Sequence, residues 1–130
     1  HPHRRYCAKV DELIELVDTI NGDWDGGHGI CWDVGHAHIA AHQQAEALKA
    51  VGGRLRMTHI HDNYAGADRH LLPYTGSVDW SDFIAGLKAI GYDGDINYEM
   101  NLKRIPSELR PGLIAYLRDV GNAFIAALEQ

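Results

Sequence analysis

The sequence predicts a parallel α/β fold, and three observations carry that expectation. Segments with helical spacing of apolar residues alternate with short apolar runs, in the order α-β-α-β-α-β-α. Strands separated by helices imply crossover connections and therefore a parallel sheet. The residues able to do chemistry also gather where the short runs end, which is the edge at which parallel α/β folds bind ligands.

Each element follows from its own pattern. "VDELIELVDTI" sets Val10, Leu13, Ile14, Val17 and Ile20 on one helical face, with Asp11 as candidate N-cap and Asn21-Gly22 as the stop. A glycine-rich loop, "GDWDGGHG", leads into "ICWDV", a short buried strand. "AHQQAEALKAVGG" reads as one helix ended by Gly52-Gly53. "RMTHIHD" is the second strand, and "NYAGADRHLLPYTGS" is a long polar loop. "DWSDFIAGLKAIG" is a helix capped by Asp79 or Ser81, with Phe83, Ile84, Leu87 and Ile90 facing inward. "DINYEM" is the third strand. From about Pro111 an amphipathic helix runs through Leu113, Ile114, Leu117, Val120 and Phe124.

Composition excludes several classes. The 130 residues suit one domain, and 45% hydrophobic with 23% charged residues is ordinary for a globular chain. No apolar run approaches the roughly 20 residues that span a bilayer, so no membrane partner is expected. Cys7 and Cys31 form no disulfide framework, which points to a reducing, cytoplasmic setting. A net charge of −6 without basic runs argues against nucleic acid as a partner, because phosphate needs clustered Lys and Arg. The nine histidines are the unusual feature.

Asp33, His59 and Glu99 each stand at or just past the C-terminal end of a predicted strand. Singly, each reads as a cap, an ion-pair partner or a core histidine. Together, at equivalent positions on successive strands, they read as a mixed oxygen and nitrogen site for a divalent cation. Strand alternation sends His61 to the same side as His59, so it can reach the same cavity. His36 orients substrate or binds a second metal. Asp68 and His70, in "DRH", are either part of a functional loop with a second metal or a solvated turn. His38 and His42 are assigned to the following helix or its approach, His28 to an exposed loop, and Trp32 and Trp80 to core packing.

"CWDVGHAHIA", "HIHDN", "DRHLLPYTGSVDW" and "GYDGDINYEM", in that order, resemble the sugar phosphate isomerase/epimerase group, the xylose isomerase-like TIM barrels. The group includes ketohexose 3-epimerases, inosose dehydratases and, more distantly, zinc-dependent apurinic endonucleases. The resemblance implies a partial (β/α) barrel in which these blocks are strands six, seven and eight with their helices. Residues 1–130 are then the C-terminal half of a barrel that needs about 250 residues.

The same resemblance implies the site. Such proteins hold their metal with a Glu on strand five, an Asp on strand six, a His on strand seven and a Glu on strand eight. Asp33, His59 and Glu99 match the last three, while the strand-five Glu has no counterpart. His36, in the "D-x-G-H" block, is implied to touch substrate, and His61 is expected to join it. The implied reaction is isomerisation or epimerisation of a sugar or sugar phosphate. Mn²⁺, Mg²⁺ or Co²⁺ polarises a ketose, and a proton moves through an enediolate with Glu99 as catalytic carboxylate. An apurinic-endonuclease-like phosphodiesterase is the alternative. That family also has Asp-Arg-His in this loop, so Asp68 and His70 would hold extra Zn²⁺. A non-catalytic half-barrel is the third reading. A sugar is the expected small-molecule partner, and open sheet edges predict either a homo-oligomer or pairing with the missing N-terminal half.

Overall fold

The computed structural model describes residues 7–23 and 26–130. Helix α1 (Val10–Asp23) buries Val17 and packs Val10, Leu13 and Ile14 against the core. It starts before Asp11, so that residue lies in the first turn rather than at the cap, and it continues through Asn21-Gly22. His1 and His3 lie outside the described residues.

Strand β1 (Ile30–Asp33) pairs in parallel with β2 (Leu55–His59), matching Cys31 to Met57, Trp32 to Thr58 and Asp33 to His59. The register slips between Ile30 and Cys31, which distributes the two faces. Ile30 and Trp32 point into the helix layer, at 2% and 4% exposure, while Cys31 and Met57 stand on the opposite, open face. Ile30 therefore packs in the core, and Cys31 stands on the open face.

The single helix expected over 41–53 is two. A six-residue helix α2 (Val34–Ile39) follows β1 without a loop, and α3 (Gln44–Val51) comes after a break at which Ala41 adopts φ +58°. The break has a buried fixture. Gln44 accepts a hydrogen bond from Trp32 Nε1 at 2.8 Å and donates one to the Val34 carbonyl at 3.1 Å, tying the start of α3 to β1 and α2. Gly52, at φ +56°, ends α3 as the sequence suggests.

Helix α4 (Trp80–Ala89) takes Asp79 as its cap, whose carboxylate accepts from the Asp82 amide at 3.0 Å and from Ser81 Oγ at 2.6 Å. Helices α3 and α4 pack closely because Gly86 has no side chain: a Cβ there would lie 2.8 Å from Leu48 Cδ1. Helix α5 (Arg110–Glu129) carries Pro111 in its first turn and buries Leu117, Val120 and Phe124. Ile114, expected inside, is 59% exposed. Phe124 stacks on Trp80 at 5.5 Å and meets Phe83 edge-on, closing one end of the core.

The predicted third strand is reduced to a parallel bridge between Ile60 and Tyr98. Ile60 donates to Asn97 O at 2.8 Å and its carbonyl accepts from the Glu99 amide at 3.1 Å, so one turn of ladder forms. Among the described residues no strand pairs with 95–100 on the far side, and Ile60 is followed at once by an antiparallel bridge from Asp62 to Leu71. A lone pairing of this length does not propagate. The order of elements and the parallel pairing nonetheless remain those of successive β/α units.

Two outcomes follow. Replacing Asp79 by alanine is expected to cost about 1 kcal/mol at pH 7, measured by urea unfolding. The hydrogen bonds from Ser81 and the Asp82 amide hold the Asp79 carboxyl below its ordinary value of 3.8. Its contribution is therefore complete above that pH, and the difference from the variant should shrink as pH falls through the depressed value. Exposed Met57, Ile114 and Ile125, and an edge of β1 that pairs with no strand among the described residues, predict self-association or apolar-dye binding of the chain at micromolar concentration. Light scattering that finds a monodisperse monomer without dye uptake would contradict this.

Candidate metal centre

The site is built from the junction of β1 and α2. Asp33 ends the strand with extended backbone (φ −95°, ψ 108°), and its side chain caps α2 by accepting from the His36 amide at 2.8 Å. That turn brings His36 back over the same carboxylate, with Nδ1 3.1 Å from Asp33 Oδ2. From β2, His59 Nδ1 lies 3.9 Å from Asp33 Oδ2 and 3.2 Å from Glu99 Oε2. Two residues on, His61 Nε2 lies 3.0 Å from Asp33 Oδ1. Asp33, His59 and Glu99 thus meet at the C-terminal edge of the sheet, with His61 beneath them.

The long loop adds a second set. His36 Nε2 is 3.1 Å from Asp68 Oδ2, and His70 Nε2 is 3.2 Å from Asp68 Oδ1. His70 sits at φ +49°, a left-handed conformation uncommon for a residue with a side chain, and strained backbone of this kind concentrates at functional sites. Its Nδ1–H donates to the Glu99 carbonyl at 2.8 Å, which orients the ring with Nε2 facing Asp68. Histidines that ligate metals are commonly oriented in this way, by a carbonyl on the other ring nitrogen.

Two groups of side chains bring one donor atom each within 4.8 Å of one another: Asp33, His61 and Glu99, and His36, His61, Asp68 and His70. His59 belongs to neither, although it approaches both Asp33 and Glu99. The mixed imidazole and carboxylate set fits a divalent transition ion better than Ca²⁺, which takes oxygen alone. His61 is fully buried, so its ring offers no surface to a sugar, and the expected contact with substrate does not suit this geometry. His36, half exposed, remains able to touch one.

Electrostatics favour charged carboxylates. Burial by itself would raise the Asp33 carboxyl, but hydrogen bonds from His61 and the His36 amide hold it below the usual range. Asp68 follows the same pattern, with burial outweighed by His36 and His70. For His70, burial works downward, and the Glu99 carbonyl and the Asp68 charge together carry it above its ordinary value. Burial and the nearby charges of Asp33 and Glu99 raise the Cys31 thiol, which keeps that neighbour protonated and a weak nucleophile.

Asp62 and Gly35 hold the site and were not among the residues singled out from sequence. Asp62 is fully buried; its Oδ1 accepts from the Asn63 and Val78 amides at 2.8 and 3.1 Å, and its Oδ2 from Trp80 Nε1 at 3.1 Å. It fastens both ends of the loop bearing Asp68 and His70. Gly35 lies against the His61 ring, where a Cβ would come within 2.0 Å of Cε1. Two further histidines serve structure: His38 pairs with Ser77 Oγ at 2.9 Å, and His42 Nε2 donates to the Ala8 carbonyl at 2.9 Å. Beside Asp33 and His36 opens a cavity of about 470 Å³, walled by Cys7, Lys9, Leu13 and Cys31. That is a size used for small ligands.

The family model of the xylose isomerase-like TIM barrel matches residues 1–120. An uncharacterised protein of Sinorhizobium fredii is 37% identical over 98 residues, covering 75% of this chain and 32% of that protein. A probable endonuclease 4 of Mycobacterium tuberculosis is 30% identical over 92 residues, covering 65% and 35%. A crystal structure of a D-tagatose 3-epimerase-like protein superposes with a TM-score of 0.63 at 25% identity, covering 91% of this chain and 43% of that one. The chain spans less than half the length of each.

Replacing Asp62 by alanine is expected to leave two amides and an indole N–H buried without partners, at a cost of about 3 kcal/mol or more in urea unfolding. A loss below about 1 kcal/mol would show that water replaces the carboxylate and that the loop is not fastened there.

Proposed function

We propose, on the premise that this chain belongs to the xylose isomerase-like TIM barrel family, that it carries the metal-holding face of a sugar isomerase or epimerase. The observation that supports this reading is the meeting of Asp33, His59 and Glu99, from three successive β/α units, beside a cavity of small-molecule size. Asp33, His59 and Glu99 would hold one divalent ion, Mn²⁺, Mg²⁺ or Co²⁺. Such an ion, when bound, supplies Lewis acidity that makes a C–H beside a ketose carbonyl more acidic.

The residues supply the rest. Glu99 is half exposed, so its carboxylate can take that proton. His36 stands at the rim and orients a sugar hydroxyl. Returning the proton requires a second acid on the other face of the substrate, and the Glu that the resemblance implies has no match in this sequence. The likeness to a D-tagatose 3-epimerase-like protein agrees with a ketose as the substrate class.

A second reading has its own observation. His36, Asp68 and His70 form a further donor group, and the chain is also similar to endonuclease 4 proteins. Two or three zinc ions hydrolysing a phosphodiester would use both groups. The net charge of −6 weighs against a phosphate backbone as ligand.

Metal counting separates the two. The sugar reading expects one Mn²⁺ or Mg²⁺ per chain, the phosphodiesterase reading two or three tightly held Zn²⁺, and a non-catalytic half-barrel none. With Mn²⁺ and a ketohexose in D₂O, the chain should exchange the substrate proton slowly, below about 1 per second. Glu99→Gln should lower that exchange by about 100-fold or more. Unchanged exchange in the variant would remove Glu99 as the base.

A further inference from the structure

We propose that His61 is a positioning residue that divides the two oxygens of Asp33 between two tasks, keeping Oδ1 on the protein and leaving Oδ2 for a divalent cation. The proposal rests on the metal-site reading above and adds how one of its carboxylates is aimed.

Asp33 Oδ1 already has two partners, the His36 amide at 2.8 Å and His61 Nε2 at 3.0 Å. Oδ2 is the oxygen that faces His36 Nδ1 and His59 Nδ1, on the side of Glu99. An ionised carboxylate only accepts, so the His61 nitrogen that meets it carries the proton. His61 is therefore the Nε2–H tautomer, with its lone pair on Nδ1. That Nδ1 is buried and, among the described residues, has no hydrogen-bond partner.

The ring has no room to exchange its nitrogens. A Cβ on Gly35 would lie 2.3 Å from Nδ1, and on the other side His70 stacks at 4.0 Å with 13° between the planes. A nitrogen of His61 comes within reach of both donor groups, yet Nε2 is committed to Asp33 and Nδ1 is enclosed. So His61 ligates neither group. It touches a member of each, Asp33 by hydrogen bond and His70 by stacking, and sets the spacing between them. The unpartnered Nδ1 is the desolvation cost of this arrangement.

The test needs the metal alone. In the 130-residue chain loaded with Zn²⁺, imidazole ¹⁵N shifts should show His61 protonated at Nε2, with neither nitrogen at a zinc-bound value. A zinc-bound shift on either His61 nitrogen would overturn the proposal. In Mn²⁺ titrations followed by electron paramagnetic resonance, His61→Leu should weaken binding about 10- to 100-fold with the ion count unchanged. His61→Gln, which keeps an N–H at similar reach, should recover most of that loss. Equal affinity in wild type and His61→Leu, or loss of one ion in both variants, would overturn it. A wild-type chain that binds no divalent ion would overturn the metal-site reading as well. That failure appears in the wild type alone, apart from any comparison of variants. The shift measurement uses the wild type, so it decides even if His61→Leu does not fold.

Discussion

Everything at this site hangs on one carboxylate at the end of one strand. Asp33 stops β1, caps α2, receives His61 from below, and presents its outer oxygen toward His36 and His59. The capping bond decides where α2 begins, and the position of α2 decides where His36 stands. Parallel pairing of Asp33 with His59 decides that the second strand delivers its histidine at the same height. A local rule of helix termini and a register rule of sheets therefore fix the same few atoms.

Much of this was legible in the sequence because periodicity and position carry it. The alternation of elements gave the parallel sheet, and equivalent places at strand ends gave Asp33, His59 and Glu99. The rest was hidden for physical reasons. Helix α2 has six residues, too short for an apolar stripe to show, and Gly35 inside it reads as a breaker. The strand at 95–100 has the composition of a strand, but composition does not supply a neighbour to pair with. The burial of His61 depends on Gly35, which is 26 positions away, and on His70; neither contact follows from a pattern local to "HIHDN".

The two faces of the sheet divide the work. Ile30, Trp32 and Leu55 look toward α1, α3 and α4 and build the core, so the helices are held independently of the site. Cys31 and Met57 look the other way, onto the open face, where Cys31 lines the cavity. The histidines lie at the boundary, where a ring can be partly packed and still present a nitrogen. Six of the described histidines are thus spent on three tasks: His36, His59 and His70 stand among the carboxylates of the site, His38 and His42 pair with loops, and His61 forms the wedge.

The clamp made by Asp62 has a consequence for how such a molecule can change. Two of its bonds, from the Val78 amide and Trp80 Nε1, fasten residue 62 to residues 78–80, and a third holds the Asn63 amide, so the feet of the loop are fixed while residues 64–69 between them are exposed. Variation in the outer loop leaves those feet alone. New lengths and side chains can be tried beside His36 and His70 without unsettling the sheet or the aromatic cluster of Trp80, Phe83 and Phe124. A lineage, or an engineer, could exchange ligand preference there as one swaps a tool head on a fixed handle.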